Sequence, residues 1–172
     1  MTARASINIY LLLIAGGLTM GCKTTDERKR DKERSTFRVH IEMNADSTGR
    51  SAPVPIYRER PVLVNVETVP FLDEGSIARA WVEDAPGSFV IKVQLDSSGT
   101  LLLDGVTASN RGRRIAIASQ FPDARWLGAP LITKRSADGI IEFTPDATRE
   151  EAERIVRGLN NVVKELKKRS NL

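Results

Sequence analysis

The sequence predicts an α+β fold in which a largely antiparallel sheet carries helices on one face. Segments with strand and helix patterns alternate along the chain and end in paired strands and a closing helix. That closing helix has an apolar stripe, which needs a sheet to cover it. A length of 172 residues with 41% hydrophobic content suits one domain with appendages.

The first residues have the pattern of a secretory signal. Arg4 supplies positive charge, an apolar run follows, and Cys22, the only cysteine, comes directly after Gly21. The run is shorter than the roughly 20 residues of a transmembrane helix. The pattern resembles a bacterial lipoprotein signal, which implies that residues 1–21 are removed and that lipidated Cys22 anchors the chain to a membrane. The alternative is a signal cut elsewhere, which leaves Cys22 as an ordinary residue.

Residues 22–36 are predicted to be a polar tether between the lipid and the domain. Basic and acidic side chains are interleaved there, with no apolar residue to bury, so we expect a solvated segment. Its basic residues can also contact anionic headgroups, although the neighbouring acids weaken that attraction. Lys23 stands where an Asp retains enterobacterial lipoproteins in the inner membrane, so the outer membrane is favoured. The folded domain is predicted to comprise residues 37–172.

The first half of the domain is predicted to hold two strands and a short helix. Residues 37–43 alternate apolar and polar side chains, which indicates a half-buried strand. Residues 44–55 contain Gly, Ser, Asp and Pro and are predicted to form an exposed loop. Residues 62–67 are rich in Val, which favours a second strand. Asp73 is an acceptable N-cap for a short helix through residues 77–80.

The centre of the chain has clearer signals. Residues 83–87 are typical of a turn, and the alternation over residues 89–95 predicts a strand. A short helix is expected over residues 100–109, followed by a turn at residues 110–112, where Asn and Gly tolerate positive φ. Residues 114–119 are predicted to form another strand.

The next two segments are also predicted to be strands, the first of them at the edge of the sheet or at a bulge. Residues 125–133 are expected to pair with the preceding strand, and Gly128 and Pro130 place this segment at an edge or at a bulge. Residues 140–143 are predicted to be one more short strand.

The closing helix has its own start signal. Thr148, followed three residues later by Glu151, fits a capping box, and basic residues near residue 168 complement the helix dipole. Two i,i+4 ion pairs are predicted on its outer face, Glu150 with Arg154 and Glu153 with Arg157. The apolar stripe consists of Ala152, Ile155, Val156, Leu159, Val162, Val163 and Leu166.

The second half of the chain also resembles a known family. Residues 107–113 have the pattern Thr-x-x-Asn-x-Gly-Arg and precede the apolar strand at residues 115–117. An Ala-Pro pair at residues 129–130 then precedes a Gly-containing turn, and Thr-x-Glu-Glu-Ala at residues 148–152 begins the closing helix. In this order and spacing, the motifs resemble the head subdomain of the first periplasmic domain of SecD, the protein-export membrane protein.

The resemblance implies a head domain that faces the periplasm and contacts translocating or newly exported polypeptide. It covers residues 37–163, with two departures. The Asp-Gly pair that usually follows the apolar strand is replaced by Ser-Gln-Phe-Pro at residues 119–122. The transmembrane segments that carry proton-coupled work in SecD do not occur in this sequence, so only the role of the soluble head is expected.

The sequence predicts no catalytic residue, metal or cofactor. His40 is the only histidine, and a zinc site needs three or four ligands, so His40 is interpreted as a surface residue. No Gly-x-Ser-x-Gly elbow and no phosphate-binding Gly spacing occur. The acidic pairs lie at turns and helix starts, where local electrostatics explains them. The net charge of +4 is spread among acids, so no nucleic-acid partner is predicted.

The functional prediction rests on the interrupted edge strand. Trp81 is expected in the core, whereas Trp126 is expected to be partly exposed at an edge that can add a polypeptide strand. The predicted partner-binding residues are Arg125, Trp126, Leu127, Gly128, Ala129 and Pro130. The first hypothesis is a periplasm-facing lipoprotein of the bacterial cell envelope that contacts exported polypeptide or the protein-export or envelope machinery without catalysis. The alternatives are a structural, self-associating envelope lipoprotein and an unrecognised periplasmic hydrolase.

Overall fold

The computed structural model describes residues 24–170 and confirms the predicted α+β fold with antiparallel sheets. The predicted signal and Cys22 lie outside these residues. The helices are α1 (Thr25–Lys32), α2 (Ser97–Ser109) and α3 (Arg149–Ser170), with a 3-10 turn at Glu74–Ser76. The strands are β1 (Arg38–Ile41), β2 (Ser51–Ile56), β3 (Val62–Glu67), β4 (Ile77–Ala85), β5 (Ser88–Leu95), β6 (Ile115–Gln120), β7 (Ala124–Gly128) and β8 (Ile140–Phe143).

The strands form three small sheets rather than one continuous sheet. Their orders are β1-β6-β7, β2-β3 and β4-β5-β8, and every pairing is antiparallel. An isolated bridge joins Val39 of β1 to Leu72, and another joins Glu42 to Val66 of β3. The Glu42–Val66 bridge therefore links the chain after β1 to the β2–β3 hairpin, and the two three-stranded sheets share one core.

Helix α3 supplies the centre of that core, as its apolar stripe predicts. Val162 is half-buried and Leu166 is exposed, and the other five stripe residues are buried. They pack in one cluster with residues of both three-stranded sheets and with Leu103 of α2. The capping box is confirmed, because Glu151 N–H donates to Thr148 Oγ1 at 3.2 Å and Thr148 N–H donates to Glu151 Oε2 at 3.0 Å.

The β1-β6-β7 sheet is covered on both faces. Ile115 and Ile117 of β6 face the main core, whereas Ala116 faces the β2–β3 hairpin. The hairpin contributes its own buried residues to this second cluster, namely Val54, Ile56, Val64 and Val66. Burial on both sides explains why β6 is apolar at consecutive positions.

Residues 51–56 form a strand, and the predicted loop over residues 44–55 is wrong there. Pro53 and Pro55 lie opposite Asn65 and Leu63 of β3. Thr68 N–H donates to the Arg50 carbonyl at 2.8 Å, so the backbone alternation places both proline nitrogens away from β3. No ladder hydrogen bond is lost, and the prolines are compatible with the strand.

The helix predicted over residues 77–80 is also wrong, because this segment belongs to β4. Asp73 does act as a cap, accepting from Gly75 N–H at 2.9 Å, but it caps only the 3-10 turn. Beyond the turn, β4 pairs with β5 along its whole length through a hairpin at Pro86 and Gly87. Pairing with this strongly patterned strand outweighs the weak local helix preference.

The predicted tether includes an ordered helix. Helix α1 has a capping box between Thr24 and Glu27, and its eight residues bury nothing. The chain after it is held against α3, where Glu33 accepts hydrogen bonds from Arg154 at 3.0 Å and from Arg157 at 2.9 Å. These arginines, predicted to pair within α3, thus bind the N-terminal segment instead.

Gly158 allows this segment to approach α3 closely. A Cβ at position 158 would lie 3.0 Å from the Arg34 carbonyl carbon and the Ser35 nitrogen. Ser35 is buried there, and its hydroxyl lies 2.9 Å from that of Ser119. The segment that joins α1 to β1 therefore packs in a slot that only glycine leaves open.

We expect Gly158→Ala to lower the free energy of unfolding by about 1 kcal/mol, since overpacking exceeds the gain in helix propensity. Gly105→Ala is the matched control in α2, where a Cβ meets nothing within 4 Å. It should raise stability by about 0.5–1 kcal/mol. Urea unfolding measures both, and an equal rise in the two variants would contradict the slot.

Candidate functional site

The candidate site is a cleft at the outer edge of β7, which we call the edge cleft. It has a volume of about 480 Å³ and is lined by Pro55, Tyr57, Arg58, Pro61, Ala124, Arg125, Trp126 and Asp146. The cleft forms where the β2–β3 connection passes beside β7. Tyr57 turns the chain there with φ of 69°, a left-handed conformation that is uncommon for residues other than glycine.

Trp126 forms one wall of the edge cleft and is half-buried. His40 packs edge-on against it, with ring centroids 5.1 Å apart and an interplanar angle of 67°. The His40 Nδ1 atom lies 2.7 Å from the carbonyl oxygen of Glu67, so both rings are held in position. His40 is a half-buried surface residue that contacts Trp126 through its ring.

Arg125 places a nearly buried cation beside the ring of Trp126. Its side chain is 14% exposed, and Nη2 lies 3.4 Å from Glu151 Oε2 without forming a hydrogen bond. Both Nε and Nη2 are buried without a hydrogen-bond partner. An unsatisfied buried donor costs about 1–3 kcal/mol, so the Arg125 side chain is an energetically costly feature in the wall of the cleft.

The opposite side of the edge cleft is a network around Arg58. Its backbone N–H and its Nε donate to Asp146 Oδ2 at 3.0 and 3.2 Å. Its Nη2 lies 3.4 Å from Glu151 Oε2, so Glu151 links both arginines of the cleft. The backbone N–H of Thr148, and then Arg125 and Arg58, hold the pKa of Glu151 below its ordinary value.

The structure divides the six predicted partner-binding residues into two groups. Arg125 and Trp126 line the edge cleft, whereas Leu127, Gly128 and Ala129 are buried and Pro130 is half-buried. The Leu127 carbonyl accepts from Asp146 N–H at 2.6 Å, whereas the Pro130 carbonyl accepts from Ile115 N–H of the neighbouring β6 at 2.9 Å. Strand addition at Leu127 is thus obstructed by Asp146.

The expected edge position and bulge of β7 are both confirmed. The strand is last in its sheet, and the pairing skips Leu127 between Trp126 and Gly128. Sequence reasoning missed the other half of the cleft, which comes from residues 55–61 and from Asp146. The Pro-Ile-Tyr-Arg-Glu-Arg-Pro stretch has an unusual aromatic among polar residues, but nothing local indicates its contact with a strand some 70 residues later.

Within residues 24–170, no group of three His, Cys, Asp or Glu side chains is placed to hold a metal ion. No helix in the same range combines the length and apolar character needed to cross a membrane.

Three small antiparallel sheets and one long helix define an α+β domain, and this domain is similar to solved structures. A structure of SecDF, described as a membrane component that enhances protein export, matches with a TM-score of 0.56 and 18% identity, covering 83% of this chain and 71% of that chain. SecDF in a super-membrane-facing form matches with a TM-score of 0.56 and 19% identity, covering 80% of this chain but only 21% of that chain. The chain therefore has the fold of a SecD-like periplasmic domain.

Other comparisons give no match. No protein-family model matches the chain, and a search of curated proteins finds no significant relative.

The lowered pKa of Glu151 predicts how stability depends on pH. Its contribution is present above the ordinary value of 4.5 and is lost as the pH falls below it. We expect Glu151→Gln to be less stable than the unmodified protein at pH 7, and the difference to shrink as the pH falls below the ordinary value of 4.5. Urea unfolding across that range checks this, with exposed Glu150→Gln as the control. A difference that persists unchanged to pH 3 would contradict the assigned network.

Proposed function

We propose that this protein is a periplasm-facing binding module that contacts exported polypeptide in an extended state, without catalysing a reaction. The observation that carries the proposal is the nearly buried Arg125 guanidinium beside Trp126 in the edge cleft, which pairs with Glu151 but has two N–H groups without a hydrogen bond among the described residues. The SecD-like fold agrees with it, since one SecDF neighbour is described as enhancing protein export. Contact with export or envelope machinery through the same cleft is the related form of this proposal.

The lining of the edge cleft suits an extended chain. Trp126, Tyr57 and two prolines offer rigid apolar surface, which side chains of many kinds can contact. Arg125 offers N–H donors, and an extended polypeptide presents a carbonyl acceptor at every residue. Such a combination favours backbone recognition with broad sequence tolerance. The one carboxylate of the lining, Asp146, is already bonded to Arg58, which favours binding over acid–base chemistry.

We further propose that a lipid on Cys22 anchors the protein to a membrane of the bacterial envelope, with the outer membrane favoured. The short apolar run that ends at Gly21-Cys22 supports this anchor. Mass spectrometry of the mature N-terminus tests it, and an unmodified Cys22 or a cut elsewhere would contradict it. This arrangement holds the domain near emerging polypeptides.

Fluorescence of a single tryptophan tests the edge cleft. The chain has two tryptophans, so Trp81→Phe leaves Trp126 as the only reporter. Titration with an unfolded, alkylated polypeptide should give a saturable change. Arg125→Met in this background should weaken binding by about tenfold or more, the loss expected for a hydrogen bond to a charged group.

The matched control is Arg60→Met, which changes an exposed arginine near the cleft but outside its lining. It should leave the affinity unchanged. Arg125→Met removes an ion-pair partner of Glu151, so thermal melting must show that the variant remains folded at the assay temperature before a loss of affinity is assigned to the cleft. The absence of any titration, or equal losses in both variants, would contradict the proposed function.

One observation favours the self-associating alternative as a second candidate function. The outer face of the β2–β3 hairpin has an apolar end, where Leu63 is 71% exposed opposite Pro55 and near the exposed Pro53. Exposed apolar surface of this kind is typical of contact sites. If this face joins copies of the chain, light scattering should show a dimer or larger assembly that Leu63→Glu converts to a monomer.

A further inference from the structure

The free edge of β4 carries a second candidate binding surface. This strand is the outermost in the β4-β5-β8 sheet. Ala80 lies opposite Val93 of β5, but its backbone bonds point the other way, toward α3. Ala80 N–H donates to Asn160 Oδ1 at 2.9 Å, and Asn160 Nδ2 donates to the Ala80 carbonyl at 2.8 Å. The carboxamide of Asn160 thus makes the pair of bonds that a neighbouring strand would make.

Beyond Ala80, the same edge is open. Backbone direction alternates along a strand, so the N–H and carbonyl groups of Val82 and Asp84 also point away from β5. Among the residues that the structure describes, α3 side chains hydrogen-bond the backbone of this edge only at Ala78, through Lys167 Nζ at 3.3 Å, and at Ala80. Arg149 of α3 also pairs with Asp84, but through its side chain. The outward backbone groups of Val82 and Asp84 are therefore available to an added strand.

A basic groove runs beside this edge, and we call it the β4 groove. It has a volume of about 460 Å³ and is lined by Ala78, Arg79, Ala80, Trp81, Asn160, Val163, Lys164 and Lys167. Three of these residues are cationic and none is acidic. The Arg79 guanidinium lies 4.7 Å from the centre of the Trp81 ring, so a cation and an aromatic surface lie together.

Trp81 is not the core residue that the sequence predicts, and its exposure supports a binding role. It is half-exposed rather than a core residue, and its Nε1 donates to Glu83 Oε2 at 3.0 Å. Glu83 is also bonded to Lys92 at 2.7 Å, so its charge is already compensated. The tryptophan ring is thereby fixed as one wall of the β4 groove.

We propose that the β4 groove binds an extended acidic polypeptide segment as an added strand. The backbone of the segment pairs with Val82 and Asp84, and its carboxylates contact Arg79, Lys164 and Lys167. This surface shares no residue with the edge cleft. The inference therefore goes beyond the proposed function and does not depend on it.

The remaining tryptophan provides the test, because Trp126→Phe leaves Trp81 as the only reporter. The probes are two synthetic strand-forming peptides of equal length, one with Glu at every second position and one with Lys there. The Glu peptide should give a saturable Trp81 signal that weakens as salt increases. The Lys peptide should bind at least about tenfold more weakly, because it meets three cations.

A proline substitution tests strand addition separately from charge. Asp84→Pro removes the N–H that points away from β5, so no β4–β5 hydrogen bond is lost. Pro53 and Pro55 occupy equivalent outward positions in β2. Asp84→Ala is the matched control, since both variants lose the ion pair with Arg149. Asp84→Pro should weaken Glu-peptide binding by about tenfold or more, and Asp84→Ala should stay within about threefold. Circular dichroism and thermal melting confirm that both variants fold.

Three results would overturn the inference. One is the lack of a Trp81 response to the Glu peptide while Trp126 still responds to unfolded polypeptide, which leaves the proposed function standing. Another is equal binding by Asp84→Pro and Asp84→Ala, which excludes strand addition. The third is concentration-dependent self-association that Asp84→Pro abolishes, which assigns the edge to a second copy of this chain.

The double variant Lys164→Gln with Lys167→Gln should lower both the affinity for the Glu peptide and the dependence of that affinity on salt.

Discussion

The structure depends on one helix that packs against two sheets at once. The buried stripe of α3 contributes to a core that both three-stranded sheets share. The same helix holds the N-terminal segment through Arg154 and Arg157 and the β4 edge through Asn160. A substitution that displaces α3 therefore affects the sheets, the N-terminal segment and both candidate surfaces together.

The position of α3 also explains where the binding surfaces lie. Glu151, in its first turn, approaches Arg58 and Arg125 and so shapes the edge cleft. Lys164 and Lys167, in its last turns, line the β4 groove. Short sheets necessarily leave edges, which natural domains cover or obstruct. Here the backbone of Asp146 bonds the edge of β7, and the side chain of Asn160 bonds the edge of β4. Each candidate surface lies next to the edge residues that these bonds occupy.

Sequence reasoning succeeded where a local pattern decides the structure. Strands β3 and β8 are predicted to the residue, and the capping box and apolar stripe correctly define α3. The errors occur where a distant partner decides. Pro53 and Pro55 indicate a loop in the sequence, but in the fold their nitrogens point away from β3 and the strand can form. Residues 77–80 have a local helix preference, but in the fold they pair with β5. The order in α1 depends likewise on Glu33 contacting a helix some 120 residues later.

The residues of the candidate site also divide into those that a local pattern predicts and those that only the tertiary fold brings together. Arg125 and Trp126 were predicted from the interrupted edge strand, whereas Tyr57, Arg58 and Asp146 join them only through the tertiary fold. A likeness at 18–19% identity establishes the fold and leaves the function to the site itself.

Two costly features coincide in the edge cleft and strengthen its functional interpretation. Tyr57 has a left-handed backbone, and Arg125 has buried donors without acceptors. Each feature opposes folding by about 1–3 kcal/mol, and neither is required by the core, which is otherwise apolar. The Arg125 side chain also lines the cleft, where its exposed part can contact a ligand carbonyl or carboxylate. The coincidence of both features distinguishes the edge cleft from an ordinary surface depression.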